Sequence, residues 1–372
     1  MRYERMTPFR VMDLVRQAQA FDDTIHFEVG QPDLPPPPGV KRALGEAVER
    51  ERFAYTESMG LRELRERIAA HYRHDYGVEV DPVRILITPG TSNAFLVAYL
   101  LTLKAGGRLG LADPSYPCYP NFAVMVDAEP RFYPVDQSNG YLLRPRDLEG
   151  TALDVLHISF PSNPTGTLYD AEALKCLADY CCQEGITLIS DELYHALVYE
   201  KRAHTALEFS NEAIVINGFS KYFCMPGLRI GWMIVPERLI RPAEIIAQNL
   251  FISAPTLSQY AALEAFDYDY LAQVREIFRQ RRDYLYEALN PLLPVDAKPD
   301  GAFYLWCDVS EYTEDSTAFS RELLEAIHIA VTPGIDFGRH GTATKLRFAY
   351  TRSIEHMAEG VERLENYLKE RR

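Results

Sequence analysis

Lysine is scarce in this chain: eight of its 39 basic residues are lysines, set against 53 acidic residues and a net charge of −14. So acidic a balance excludes a general nucleic-acid face and an anionic membrane surface as partners. It still leaves room for a local basic pocket holding a small anion. Long apolar runs are also missing. None approaches the ~18 residues that a membrane-crossing helix needs. The opening Met1-Arg2-Tyr3-Glu4-Arg5 lacks the apolar core of a secretion signal. The six cysteines, at 118, 176, 181, 182, 224 and 307, form no C-x-x-C pair. Reduced thiols and a cytoplasmic protein without a metal site are therefore expected. No strand-like run leads into G-x-G-x-x-G, which removes a nicotinamide dehydrogenase.

The 372 residues exceed what a single core holds comfortably, so two domains are expected. Residues 1–39 read as an arm with a helix over Met12 to Ala20, a short strand over His26 to Gly30 and a stiff strap at Pro35 to Pro38. Residues 40–288 alternate helices with continuous apolar strands. That is the pattern of a mostly parallel sheet covered on both faces. Strands are expected at Arg84 to Ile87, Arg108 to Ala112, Asp154 to Phe160, Ile186 to Ser190, Ala213 to Asn217 and Arg229 to Val235. Asn93 to Leu103 and one long stretch from Pro242 to Arg282 read as helical. After the break at Asn290-Pro291, residues 289–372 form a smaller α/β unit that shares a domain with the arm.

One lysine stands apart. Lys221 follows a strand in the turn Asn217-Gly218-Phe219-Ser220-Lys221, and Arg229 follows eight residues later. Lysine is a good carbonyl nucleophile once desolvation or a neighbouring cation lowers its pKa. A planar guanidinium suits a phosphate. The pair fits an enzyme that holds an aldehyde cofactor as a Schiff base and clamps its phosphate. Gly90-Thr91-Ser92, between a strand and a helix, offers free N–H groups and hydroxyls to an anion, although a plain helix cap explains it equally well. Asp191 ends an apolar strand, where it can pair with a protonated ring nitrogen or cap a helix. Tyr194 follows three residues later. Asn163 lies in the loop Pro161-Ser162-Asn163-Pro164, and Tyr116 in Asp113-Pro114-Ser115-Tyr116 offers a ring to stack on. Arg347, within an apolar strand, needs a carboxylate from the protein or from a substrate.

Together these motifs, with Gly30-Gln31-Pro32-Asp33, Tyr55-Thr56 and Gly60-Leu61-Arg62-Glu63-Leu64-Arg65, resemble the class I/II aminotransferases of the fold-type I pyridoxal-phosphate enzymes. The resemblance spans about Phe27 to Arg347. It implies that Lys221 bears the Schiff base, that Asp191 meets the pyridine nitrogen, and that Tyr194 and Asn163 reach the ring oxygen. Tyr116 would stack on the ring. Gly90, Thr91, Ser92, Ser220 and Arg229 would surround the phosphate of pyridoxal 5′-phosphate. Gly30, Asn163 and Arg347 would hold the carboxylate of an amino acid or 2-oxo acid. A homodimer is implied, with Tyr55, and Ser253 near it, reaching the neighbouring subunit's phosphate. Two departures stand out. Gly218 replaces a hydroxyl residue common in relatives. No arginine lies between Arg241 and Arg275, where dicarboxylate-specific relatives carry one. Amino-group transfer is the leading expectation. Carbon–sulfur β-elimination, or a ligand-sensing domain without turnover, are the alternatives.

Overall fold

The computed structural model describes residues 1–371. The chain opens with α1 (Arg10–Ala18) and the short strand β1 (Ile25–His26). Pro38 ends the proline strap by entering the first turn of α2 (Pro38–Glu49), where its missing N–H costs nothing. Next come α3 (Arg62–Tyr76), β2 (Ile85–Thr88), α4 (Gly90–Thr102), β3 (Arg108–Asp113), α5 (Cys118–Met125), β4 (Glu129–Pro134) and α6 (Pro145–Leu148). They are followed by β5 (Val155–Ser159), α7 (Ala171–Glu184), β6 (Thr187–Asp191), β7 (Ile214–Gly218) and β8 (Gly231–Ile234). Helices α8 (Ile240–Leu250), α9 (Thr256–Ala262) and α10 (Tyr268–Leu289) complete this stretch. The remainder is β9 (Tyr304–Asp308), α11 (Ser316–Ile327), β10 (Ile329–Ala330), β11 (Thr332–Pro333), β12 (Lys345–Ala349) and α12 (Ile354–Arg371).

Seven strands form one sheet in the order β2-β8-β7-β6-β5-β3-β4. All run parallel except β8, which is antiparallel to both neighbours. Both faces are covered, which explains the unbroken apolar runs. Successive residues of β2 serve opposite cores: Ile85 and Ile87 join Val215 and Ile234, while Leu86 joins Phe95, Ile216 and Met233. The expected doubly covered α/β sheet is therefore present.

Three local expectations change. Helix α4 starts at Gly90, so Gly90-Thr91-Ser92 is its first turn rather than a turn preceding it. The single helix expected over 242–282 is three helices, interrupted near Pro255 and Asp267. Strand β4 was not foreseen. It is a largely exposed edge strand carrying Pro130 and Pro134, and only an edge tolerates such residues.

The chain's beginning is tied to its end. Ile25 pairs in parallel with Ile329, and the Ala349 N–H donates to the Phe27 carbonyl at 2.8 Å. Strands β11, β12 and β9 make a separate antiparallel sheet. This places Arg347 on β12 opposite the carboxyl ends of β5, β6 and β7, where ligands collect in parallel sheets.

Candidate active site

A cavity of ≈ 240 Å³ lies at those strand ends. Lys221 projects into it from the turn after β7. Its Nζ donates to the Gly30 carbonyl at 2.5 Å, which joins the N-terminal arm to the sheet. Burial lowers its pKa to about 8, helped by the positive charges of Arg347 and Arg229 and opposed by Asp191. About a tenth of the amine is thus unprotonated at pH 7, far more than for an ordinary lysine.

Strand β6 ends on buried Asp191. Its Oδ1 accepts the Leu193 N–H at 3.1 Å and its Oδ2 accepts the Tyr119 hydroxyl at 2.5 Å. Burial pushes the carboxyl up to about 6, and these bonds and Lys221 counter it. Tyr119 in turn packs on His157, with ring centroids 4.1 Å apart. Burial drives His157 down to about 3, so it stays neutral and adds no charge behind the acid.

Arg347 is buried, yet no carboxylate of the described residues pairs with it. Nη1 donates to Asn163 Oδ1 at 2.9 Å, and Nη2 donates to the Glu28 carbonyl at 2.5 Å and to Thr332 Oγ1 at 3.2 Å. Its Nε has no partner at all. The guanidinium sits 4.3 Å over the Tyr304 ring and 4.8 Å over Phe337. A buried cation held in this way carries an unmet demand for an anion. Arg347 consumes the amide oxygen of Asn163, which leaves that side chain's N–H₂ to donate into the cavity.

The opposite end is built from backbone. The first turn of α4 presents unpaired N–H groups, with Thr91 and Ser92 in the cavity wall. Gly90 has φ +73°, and a Cβ there would lie 2.4 Å from Arg229 Nη2. Arg229 also takes left-handed geometry, donates to the Pro226 carbonyl at 3.0 Å and has no carboxylate partner. Ser220 is buried beside it in the lining. Gly218 has a steric reason. A Cβ there would approach Thr91 Cγ2 to 3.0 Å and Gly231 Cα to 3.2 Å, so Thr91 occupies the space a larger residue would need.

Tyr116 and Tyr194 also line the cavity. Tyr116 packs edge-on against Phe9 and Tyr119, at 6.0 and 5.3 Å. Tyr194 bonds the Tyr304 hydroxyl at 2.7 Å. Three expected residues are outside the lining: Gly90, which backs it against Arg229, Ser253, and Tyr55, which is 77% exposed. The sequence reading missed Tyr119 and Tyr304. Tyr119 stands three positions after Tyr116, and the two rings pack edge-on in the cavity wall. Tyr304 is the diagonal neighbour of Arg347, which pairs with Trp306 across β9 and β12. That relation needs the strand register.

A phosphorylated pyridine aldehyde asks for a carbonyl nucleophile, an acid beside a cationic ring nitrogen and an anion cradle. Lys221, Asp191 and the α4–Arg229 corner are of those kinds, and Arg347 remains for a carboxylate. The class follows from that fit: this is an α/β enzyme of the pyridoxal-phosphate type.

Comparison with known proteins narrows the class. Residues 22–364 match the family described as aminotransferase class I and II. The valine–pyruvate aminotransferase of Mycobacterium tuberculosis is 36% identical over 92% of this chain and 92% of its own. The (5-formylfuran-3-yl)methyl phosphate transaminase of Methanocaldococcus jannaschii is 34% identical over 97% and 96%. A solved aminotransferase from Mycobacterium tuberculosis superposes with a TM-score of 0.94 at 33% identity, covering 98% of this chain and 97% of that one. The chain belongs to the class I and II aminotransferases, pyridoxal-phosphate-dependent enzymes that transfer amino groups.

Proposed function

We propose that this cavity moves an amino group between an L-amino acid and a 2-oxo acid, with Lys221 as the amine that holds the cofactor aldehyde. The observation that carries this is the Lys221 amine, brought to a pKa of about 8 in a cavity shared with Asp191 and Arg347. When bound, the cofactor supplies an electron-poor ring that accepts the electron pair left as the Cα proton departs. Asp191, ionised at neutral pH, would keep a ring nitrogen beside it protonated. Tyr194 and the Asn163 amide would donate to the ring oxygen, and Tyr116 would offer its ring to the cofactor. Gly90, Thr91, Ser92, Ser220 and Arg229 receive the phosphate. Arg347, Asn163 and the Gly30 backbone hold the substrate carboxylate. Lys221 would hold the cofactor aldehyde and, when its amine is free, would take the Cα proton and return it.

Apolar donors suit the remaining walls. Phe9, Val11 and Leu193 line the cavity, and its only cations are Lys221, Arg229 and Arg347. All three have tasks, so none is left for a second carboxylate. The relative named for valine and pyruvate fits this preference.

The working unit in this reading is a homodimer. Phe53, Tyr55, Leu250 and Ile252 are exposed, and the Thr256 hydroxyl bonding the Ala54 carbonyl at 2.8 Å holds the two segments together. Such a patch calls for cover, and Tyr55, with Ser253 near it, would reach the partner's phosphate. The domains divide at 1–39, 40–288 and 289–372, with the arm joining the last unit; the β1–β10 pairing supports that grouping. A cytoplasmic setting accords with six free cysteines.

The test mixes holo-protein with each common amino acid and follows the cofactor absorbance. Expected is conversion by apolar donors, with one 2-oxo acid released per site and no ammonia. Pyruvate and ammonia from a cysteine conjugate, formed without an oxo-acid acceptor, would instead establish β-elimination.

A further inference from the structure

Tyr304 enters from β9 and touches three parts of the site at once. Its ring face lies under the Arg347 guanidinium at 4.3 Å. Its hydroxyl bonds the Tyr194 hydroxyl at 2.7 Å. Its edge fills the notch left by the absent side chain of Gly30, where a Cβ would lie 1.9 Å from the Tyr304 oxygen and 2.8 Å from Cζ. Gly30 is also the residue whose carbonyl holds Lys221. The ring is 1% exposed, so this placement is tightly constrained.

We propose that Tyr304 is a positioning residue with two separable parts: its hydroxyl turns the Tyr194 proton toward the cofactor's ring oxygen, and its ring sets the height of Arg347 under the substrate carboxylate. This rests on the roles assigned above to Tyr194 and Arg347. A phenol has one proton to give. In the pair as it stands, either oxygen can be the donor. Once Tyr194 donates to the ring oxygen, its own oxygen is free to accept, and the Tyr304 hydroxyl has no other partner among the described residues. Tyr304 then donates to Tyr194, and the two bonds polarise each other in one direction.

The ring's task is different. Arg347 has one partner on Nη1, Asn163, and two on Nη2, the Glu28 and Thr332 oxygens. Nothing in that plane stops it from tilting. The Tyr304 and Phe337 faces do, and a cation over a desolvated ring is attracted to it.

Tyr304→Phe removes the hydroxyl and keeps the ring. Tyr304→Leu removes both. Donation from Tyr194 competes for the ring oxygen with the proton held on the Lys221 link, so weaker donation leaves that proton more firmly bound. In a pH titration of the holoenzyme's visible absorbance, Tyr304→Phe should therefore raise the midpoint by about half to one pH unit, the size of one hydrogen bond. Its KM for amino acids should change less than about twofold, since the Arg347 platform survives. Tyr304→Leu should add a rise of about tenfold in KM. Tyr194→Phe should raise the midpoint by itself, and adding Tyr304→Phe to it should shift the midpoint no further. An unmoved midpoint in Tyr304→Phe, or a shift that persists undiminished in the Tyr194→Phe background, overturns the relay. An unmoved midpoint in Tyr194→Phe overturns the assignment of Tyr194 instead. A Tyr304→Leu protein with unchanged KM overturns the platform.

Discussion

Arg347 and Arg229 sit at opposite ends of one cavity, and both lack a carboxylate partner, yet they are held very differently. Arg347 is buried between two aromatic faces, with three hydrogen bonds to its own chain. Arg229 is exposed, in left-handed backbone geometry, with one bond to a carbonyl three residues away. On the roles proposed above, the substrate end is finished by one chain, whereas the phosphate end would be completed by a partner subunit. Preorganisation is worth most where the bound group must be exchanged at every turnover. A cofactor retained through many turnovers would tolerate a looser corner, such as one that a partner subunit completes.

The largest effect should come from the residue between the two ends. Lys221→Ala removes both the attachment amine and the proton carrier. Multiple turnover should fall by on the order of 10⁴ or more, and borohydride should no longer fix label at this position. Retained turnover would place the chemistry elsewhere and dissolve the comparison. At the finished end, Arg347→Ala should raise KM for every α-carboxylate substrate by roughly 10–100-fold, the worth of a charge-assisted pair. Cofactor affinity should hardly move. An equal loss of both would show that the two ends are not independent.

The pH profile sharpens the same contrast. The Lys221 amine attacks only when unprotonated, and its pKa is depressed to about 8. Reattachment of pyridoxal phosphate to apo-protein should slow about tenfold per pH unit below that value and level off above it. In an Arg347→Ala protein the profile should move to higher pH, because one of the charges that lowers the lysine pKa is gone. Removing a charge that faced away from the lysine would leave the profile in place.

How much of this was legible beforehand divides along similar lines. Lys221, Asp191 and Asn163 each follow an apolar strand closely, and parallel topology brings such positions together. Eleven expected residues meet in the cavity wall, several of them for that reason. Arg347 was legible because charge in an apolar strand demands an explanation. Tyr304 and Tyr119 were not, since an aromatic in a strand or helix reads as core until register and packing are known. Strand β4 was hidden by its edge position and its prolines, and the breaks within 242–282 by helical spacing that runs through them. Gly218 read as a missing hydroxyl. In three dimensions it is a matter of room beside Thr91.

The smallest effect should come from Tyr55, and it tests the unfinished end most directly. Tyr55→Phe removes one exposed hydroxyl, so cofactor affinity should weaken only about threefold to tenfold. The informative measurement is a mixed dimer of Tyr55→Phe and Lys221→Ala chains. If Tyr55 serves the neighbouring subunit, the one site that keeps its lysine also receives an intact Tyr55 from the other chain. That site should then bind cofactor as tightly as the parent enzyme. If Tyr55 serves its own chain, the lysine-bearing site carries the phenylalanine and binds as weakly as the single variant. Parent-like affinity in the mixed dimer therefore requires both a dimer and a phosphate end shared between subunits, whereas single-variant affinity would mean that each chain completes its own.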